Sequence, residues 1–594
     1  MTIFIDPASY FNEVCETIRV FDAAISLTQT DQPQLADLLV WHQPREDRSV
    51  FFALLQNPGE LPGPEQDSEA LTGPVQDSEV LAGPTQGPEA LARPAQGSEA
   101  LSRCNTPLNM KMPALEGHAE LELCLPTEPL LRRRMEKHGL KLVVYQLMKK
   151  QTGIHPPWGS LTGIRPTKLA VMLADQGQSY DAVRNRLIDF YDLTLEKTDL
   201  LFKVLDAQQG VRSPAHNAKN EIDLYVGIPF CPTRCSYCSF PAYALDKKTR
   251  PMVDGYLEAL IREIQGCIPL LQGRTVRAVY VGGGTPTSIS PAQMDKLLAV
   301  MRQAWGSGGE WTVEAGRPDT INSEMVRVLR GHGVSRISVN PQTMNAATLA
   351  RIGRSHTVEA IAEAMALVSD FPVVNMDVIA GLPGEVESDF AHTLQQILAL
   401  SPQNITVHSL AAKRASQIWL DGGVRLLPDQ AVVTRMVEHA QETLMSRGLL
   451  PYYLYRQKYM AGNLENIGYA LPGTACLYNV DIMEETHSVL AFGVGAISKW
   501  VSDGQDRLER ACNMRSLEEY IGRNDEMIER KRKLMAGEAQ APSQDEASAL
   551  LKGTARTVPP QDAPRSEAPA PPESEASTAL RGKASTLPKG VPPD

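Results

Sequence analysis

From Ile222 onward, short β-branched runs alternate with stretches long enough for crossover helices, and nothing else in this 594-residue chain restricts its fold as strongly. The runs are DLYVGIPF, RAVYVGGG, WTVEAG, RISVNP, VVNMDVIAG and NITVHSL, separated by segments such as MVDGYLEALIREIQGCI and PAQMDKLLAVMRQAW. A strand that leaves through a helix and rejoins its sheet returns parallel to its starting direction. Six such units predict an α/β fold with a parallel sheet curled into an open, partial barrel. Chemistry in that architecture belongs at the C-terminal ends of the strands. The most suggestive residues fall there: cysteines after the first strand, GGGTPT after the second, Glu314 in the third, Gln342 after the fourth and Asp377 in the fifth.

The rest of the chain divides by composition. Residues 1–125 read as an N-terminal accessory domain, interrupted at 57–105 by an insertion that holds four consecutive ten-residue units from Leu61 to Ala100, running from LPGPEQDSEA to LARPAQGSEA. Each unit carries Pro, Gln and acids but few apolar side chains, too few to offset the entropy of ordering, so this insertion is expected to be disordered. Residues 126–218 read as a helical connecting region, 219–425 as the βα core and 426–534 as a C-terminal α+β region. The stretch 535–594, rich in Pro, Ala, Ser and Glu, reads as a disordered tail. A net charge of -12 and a pI near 5.5 argue against nucleic acid as a partner, since neutralising phosphates takes a basic face. MTIFIDPASYFNE carries no basic-then-apolar leader and no apolar run is long enough to span a bilayer, so a soluble, cytoplasmic protein is expected.

Within YVGIPFCPTRCSYCSF, Cys231, Cys235 and Cys238 stand at C-x3-C-x2-C, while the other six of the nine cysteines are scattered singly. Zinc motifs usually pair two separated C-x2-C units, and ferredoxin runs use C-x2-C-x2-C with a fourth cysteine; neither pattern is met. On a cubane of four irons and four sulfides, three thiolates leave one iron open to a further ligand. One strand later, VGGGTPT lets backbone approach a ligand closely, and its N–H groups could hold a carboxylate. It is neither G-x-G-x-x-G nor a Walker loop, which argues against a nucleotide phosphate; a plain tight turn is the bland alternative.

The cysteine spacing, in a loop after the first strand of a βα domain, resembles the radical SAM superfamily. From Tyr225 to about Lys533 the resemblance narrows to the oxygen-independent coproporphyrinogen III oxidase group, in its HemZ-type branch. It is carried by YVGIPFCPTRCSYCSF, VYVGGGTPTS, TVEAGRPDTI, RISVNPQTM, IGRSHT, NMDVIAGLPGE and PYYLYRQKYMAGNLENIGYALPG, and WGSLTGIRPTK extends it towards residue 130. It implies a partial (βα)6 TIM-like barrel with an N-terminal accessory region and a C-terminal α+β cap. It also implies a 4Fe-4S cluster on Cys231, Cys235 and Cys238, with S-adenosylmethionine chelating the open iron and cleaved to a 5'-deoxyadenosyl radical.

Residue by residue, the resemblance places Tyr225 near the cofactor sulfonium and Gly283, Gly284 and Thr285 on the glycine-rich turn. Glu314 matches the family's strand-three glutamate and Gln342 the glutamine ending the fourth strand. Arg354 matches the arginine that meets the cofactor carboxylate, Asp377 a ribose-region ligand and Ala411 the residue whose backbone reaches adenine. Each of these side chains also has a bland reading, as a satisfied strand-end carboxylate or a surface charge. The implied reaction converts two propionates of coproporphyrinogen III to vinyl groups, each losing a β-hydrogen, CO2 and one electron, with a reductant such as a flavodoxin or ferredoxin supplying the cluster. A tetra-carboxylate substrate calls for cations, and Lys413, Arg414, Arg456 and Lys458 are the candidates, with a solvated surface charge the competing reading of each. Tyr452, Tyr453 and Tyr455 offer an aromatic face for a tetrapyrrole or ordinary packing.

Three departures stand out. Phe240 replaces a further cysteine of the best-known members, and Gly227 replaces the histidine of YVHIPFC. The haem-chaperone branch carries His-Asn-x-x-Tyr-Trp, where this chain has Tyr478-Asn479-Val480-Asp481-Ile482-Met483 and keeps only the Asn.

Overall fold

Alternating apolar residues build a first sheet from β1 (Thr2–Asp6), β2 (Thr28–Gln29), β3 (Leu38–Pro44), β4 (Arg48–Leu55) and β5 (His118–Cys124), in the order β2-β1-β3-β4-β5. Ile3, Ile5, Leu38, Val40, Phe51 and Ala53 are buried, as expected for a sheet with one covered face. The cover is helix Pro129–Thr152, whose Leu140, Val144 and Leu147 share that core. The N-terminal core therefore takes in this helix, which composition alone grouped with 126–218. Strands β4 and β5, which flank the decapeptide insertion, pair antiparallel.

The computed structural model describes residues 1–21, 27–44, 48–56, 118–125, 127, 129–163, 165–175, 177–213, 220–411, 413, 416–421, 427–457, 460, 463–501 and 508–537. The 57–105 insertion and the tail beyond Gly537 lie outside these residues. So do two of the four proposed cationic positions, Arg414 and Lys458.

The second sheet holds the βα core. Its strands are β6 (Glu221–Ile228), β9 (Thr275–Gly283), β10 (Glu310–Glu314), β11 (Arg336–Ser338), β12 (Val373–Ala380) and β13 (Asn404–Ser409), neighbours in that order and all parallel. A short pair, β7 (Phe230–Cys231) and β8 (Tyr243–Ala244), follows β6 and carries the first cysteine. Ile222, Leu224 and Val226 of β6 belong to the large apolar core shared with the crossover helices. The alternate residues Asp223, Tyr225 and Gly227 are left for the barrel interior. Helix Pro291–Trp305 starts where its sequence says it should, with a Ser290/Gln293 capping box and Pro at its first position.

The C-terminal region continues this sheet past both of its edges. Strands β14 (Leu450–Tyr455) and β15 (Asn466–Ala470) extend it antiparallel beyond β13. The chain then runs through helix Leu477–Glu484 to β16 (Ser488–Phe492), which lies parallel to β6, and on to β17 (Ile497–Val501) and β18 (Leu508–Cys512). The result is an eleven-stranded sheet whose middle six strands form the partial barrel.

Candidate active site

One cavity of about 460 Å³ is lined by all three clustered cysteines, by all nine residues carried over from the family and by Lys413. The sequence spreads these positions from Tyr225 to Lys413; parallel strand order brings them to one end of one sheet.

The cysteine loop is tied down on several sides. Leu245 N–H donates to Cys231 O at 2.9 Å, Cys238 N–H to Cys235 O at 3.1 Å and Ser236 N–H to Ile352 O at 3.0 Å. Arg317, just past the end of β10, grips the loop, donating to Thr233 Oγ1 at 2.9 Å while forking onto Asp319. Burial pushes the Cys231 thiol up to about 11 and raises that of Cys238 as well. These two sulfurs are therefore neutral thiols at ordinary pH, and a metal bound to them would have to displace their protons.

The glycine turn sits directly on this loop. Gly283 has φ 116°, and a Cβ on Gly284 would lie 2.9 Å from Cys231 Sγ and 2.8 Å from Phe230 O. The N–H groups of Gly284 and Thr285, expected to be free for a carboxylate, donate instead to Ile228 O and Phe230 O at 2.8 Å each. The turn thus spends two of its donors on fixing the loop. Thr285 Oγ1 also reaches Cys231 Sγ at 3.4 Å.

Polar atoms without partners mark where a ligand fits. Gln342 has φ 70°, a costly conformation for a side-chain-bearing residue, and its buried Oε1 has no hydrogen-bond partner among the described residues. The same holds for Asn340 Oδ1 and Arg354 Nε. Arg354 is otherwise held by Asn340 O at 2.5 Å and Tyr237 Oη at 2.9 Å. One orphaned donor and two orphaned acceptors on a wall beside three thiols suit the amine and carboxylate of an amino-acid cofactor.

Two acids complete the wall. Burial pushes Glu314 up to about 7, a shift held in check by the Tyr280 hydroxyl, which donates to Oε1 at 2.7 Å. Asp377 is just as enclosed, yet its carboxyl stays below its usual value because His408, Asn375 and Thr406 outweigh burial. Asn375 donates to it at 2.7 Å, and His408 Nε2 lies 3.6 Å away. Two carboxyls in one cavity are thereby poised differently.

The remaining candidates separate. Lys413 Nζ lies on the cavity wall, 5.9 Å from the centre of the exposed Phe240 ring. Arg456 is not on that wall. It is buried, donates to Leu161 O and to Asn463 O, and stacks 5.4 Å from the Trp158 ring, which anchors the helical region to the sheet. Tyr453 and Tyr455 line the cavity but Tyr452 does not; Tyr478 joins them, stacked on Tyr280 at 4.6 Å. Sequence reading missed Tyr237, Tyr280, Arg317 and Asn340. Their parts depend on partners far along the chain, and no spacing reports that.

Residues 225–397 match the family model of the Radical SAM superfamily, the class that this fold and these three cysteines define. The chain is 38% identical over 406 residues to the oxygen-independent coproporphyrinogen-III oxidase-like protein HemZ of Bacillus subtilis, covering 67% of this chain and 81% of that protein. It is 29% identical over 235 residues to the heme chaperone HemW of the same species, covering 38% of this chain and 61% of that one. The solved coproporphyrinogen III oxidase HemN of Escherichia coli overlays with a TM-score of 0.43 at 24% identity, covering 54% of this chain and 72% of the other. The chain belongs to the HemZ family of radical SAM proteins. Its cofactors are accordingly a 4Fe-4S cluster and S-adenosylmethionine. Among the described residues, no helix is long and apolar enough to cross a membrane.

Proposed function

We propose that the protein is a coproporphyrinogen III dehydrogenase, which removes two propionate carboxyls oxidatively and leaves vinyl groups. The observation that carries this reading is the shared cavity. The cluster cysteines and the poised strand-end acids open into the same space as Lys413, Tyr453, Tyr455 and Tyr478, which follow the βα strands in sequence. The name of the HemZ relative supports the substrate class. When bound, the cofactor pair supplies a primary carbon radical able to take an unactivated hydrogen atom.

This chain's residues then have distinct tasks. Cys231, Cys235 and Cys238 ligate the cluster, and Arg354, Gln342 and Asn340 receive the polar end of S-adenosylmethionine. Tyr225, Glu314, Asp377 and Ala411 follow along the cofactor. Lys413 offers a cation to a propionate, in a setting where burial lowers its pKa and sharpens its need for an anion. The tyrosines wall off water from the reacting carbon. Arg456 is a structural residue in this reading. We place the reaction in the cytoplasm, with a flavodoxin or ferredoxin as reductant.

Anaerobic incubation of the reduced, reconstituted protein with S-adenosylmethionine and coproporphyrinogen III tests the proposal. Mono-vinyl and di-vinyl products, absent with Cys235→Ala, support it. An unchanged tetrapyrrole together with stoichiometric haem binding transfers the assignment to a haem carrier, the reading that similarity to HemW offers. At the position of the chaperone histidine, however, Tyr478 is committed to a ring stack with Tyr280 and Tyr225.

A further inference from the structure

At the floor of the barrel, away from the cysteines, Asp223 of β6, Asp481 of helix Leu477–Glu484 and His487 just before β16 each point a ligand-type atom at a common space. These atoms all lie within 4.8 Å of one another, and all three residues are buried. None of the three lines the cavity described above.

The charge and hydrogen-bond balance of this cluster does not close. Three carboxylates, Asp223, Asp481 and Glu221, face one guanidinium, Arg277, which donates to Asp481 Oδ2 at 2.6 Å and lies 3.8 Å from Glu221. Both Asp223 oxygens lack a hydrogen-bond partner among the described residues, and burial and the neighbouring Asp481 push its carboxyl well above the usual range against the opposing pull of Arg277. Asp481 Oδ1 is also orphaned, although His487 Nδ1 lies 3.1 Å away. The other ring nitrogen, Nε2, meets Glu221 Oε2 at 3.0 Å. An imidazolium at His487 would serve Glu221 and Asp481 but leave Asp223 unmatched. Buried, unmatched carboxylates are costly unless paired or bound to metal.

We infer that Asp223, Asp481 and His487 ligate a divalent ion of the zinc class through one oxygen each and Nδ1. A histidine that gives one nitrogen to a metal and the other N–H to a carboxylate, here Glu221, is the usual way the ring is oriented at such a centre. One histidine and two carboxylates suit zinc, manganese or iron(II). The ion neutralises the two excess negative charges. The Thr486 hydroxyl, 3.0 Å from His487 Nδ1, or a water fills the next position. The site joins β6 to β16, so it fastens the C-terminal strands to the first strand of the barrel. It is independent of the function proposed above.

The test uses the holoprotein, reconstituted anaerobically, exposed to Zn2+, desalted and assayed for zinc and iron by mass spectrometry. The expected result is about one zinc per chain beside the cluster iron, falling at least tenfold in Asp223→Asn with iron unchanged. Glu221→Gln keeps all three ligands and should weaken zinc binding by roughly 10–100-fold. If Asp223→Asn does not fold and loses its iron, the Glu221→Gln titration decides alone. Zinc absent from the wild-type protein, or equal in the wild type and the folded variants, overturns the site and leaves a proton-linked carboxylate network in its place.

Discussion

Tyr280→Phe deletes a single hydroxyl, and the structure says what that hydroxyl does. It donates to Glu314 Oε1 at 2.7 Å, in a site where burial has already pushed Glu314 up to about 7. A hydrogen bond to a charged acceptor contributes about 1.5–3 kcal/mol, and one pH unit corresponds to ~1.36 kcal/mol, so the titration should move up by about one to two pH units. Below its midpoint Glu314 is neutral and offers the cationic cofactor no attraction; above it the carboxylate does. Wild-type affinity for S-adenosylmethionine should therefore rise as pH increases through about 7. In Tyr280→Phe the rise should come later, leaving affinity at pH 7.5 roughly tenfold lower and approaching wild type above pH 9. The phenyl ring keeps the stack on Tyr478, so iron content should not change, and unfolding should depart from wild type only above about pH 7, where the ionised Glu314 has lost its donor. Calorimetric titration of the cofactor from pH 6 to 9.5 is the assay. A midpoint that stays near the wild-type value in Tyr280→Phe would refute the reasoning.

Other perturbations probe other parts. Gly284→Ala forces a methyl to within 2.9 Å of Cys231 Sγ, so iron loading should drop sharply while the far-ultraviolet spectrum is retained; full loading would contradict the packing. Lys531→Met strands Glu263, which is buried and also bound by Tyr520 at 2.5 Å and Asn513 at 2.8 Å, and should cost about 3–5 kcal/mol in denaturant unfolding. Arg456→Ala should lower stability by about 2–4 kcal/mol, since it removes donors from two carbonyls and the stack on Trp158, without changing the KM for a tetrapyrrole. Lys413→Ala should do the reverse, raising that KM with little change in unfolding.

The sequence exposed the parts of this molecule that repeat or cluster locally. Six β-branched runs separated by helix-length segments predicted six parallel strands, because a crossover helix leaves no other simple topology. C-x3-C-x2-C and GGGTPT marked two strand ends, and the parallel order brought the other positions beside them. What stayed hidden depends on long-range packing. Arg456 sits in a charged-looking loop yet faces Trp158, some three hundred positions earlier in the chain, because a buried guanidinium needs carbonyls that only the folded protein gathers. The donors of the glycine turn looked free, but β6 and the cysteine loop take them. The sequence could not show that C-terminal strands would pair with both edges of the barrel, since edge pairing leaves no periodic trace. Nor could it place Asp223, Asp481 and His487 together, as they come from three separate elements.

The most direct measurement of the central claim uses coproporphyrinogen III carrying deuterium at the propionate β-carbons. Under anaerobic turnover, deuterium should appear in 5'-deoxyadenosine in step with formation of the vinyl products. If 5'-deoxyadenosine forms without deuterium and the tetrapyrrole is recovered intact, the cavity belongs to another substrate and the dehydrogenase reading fails.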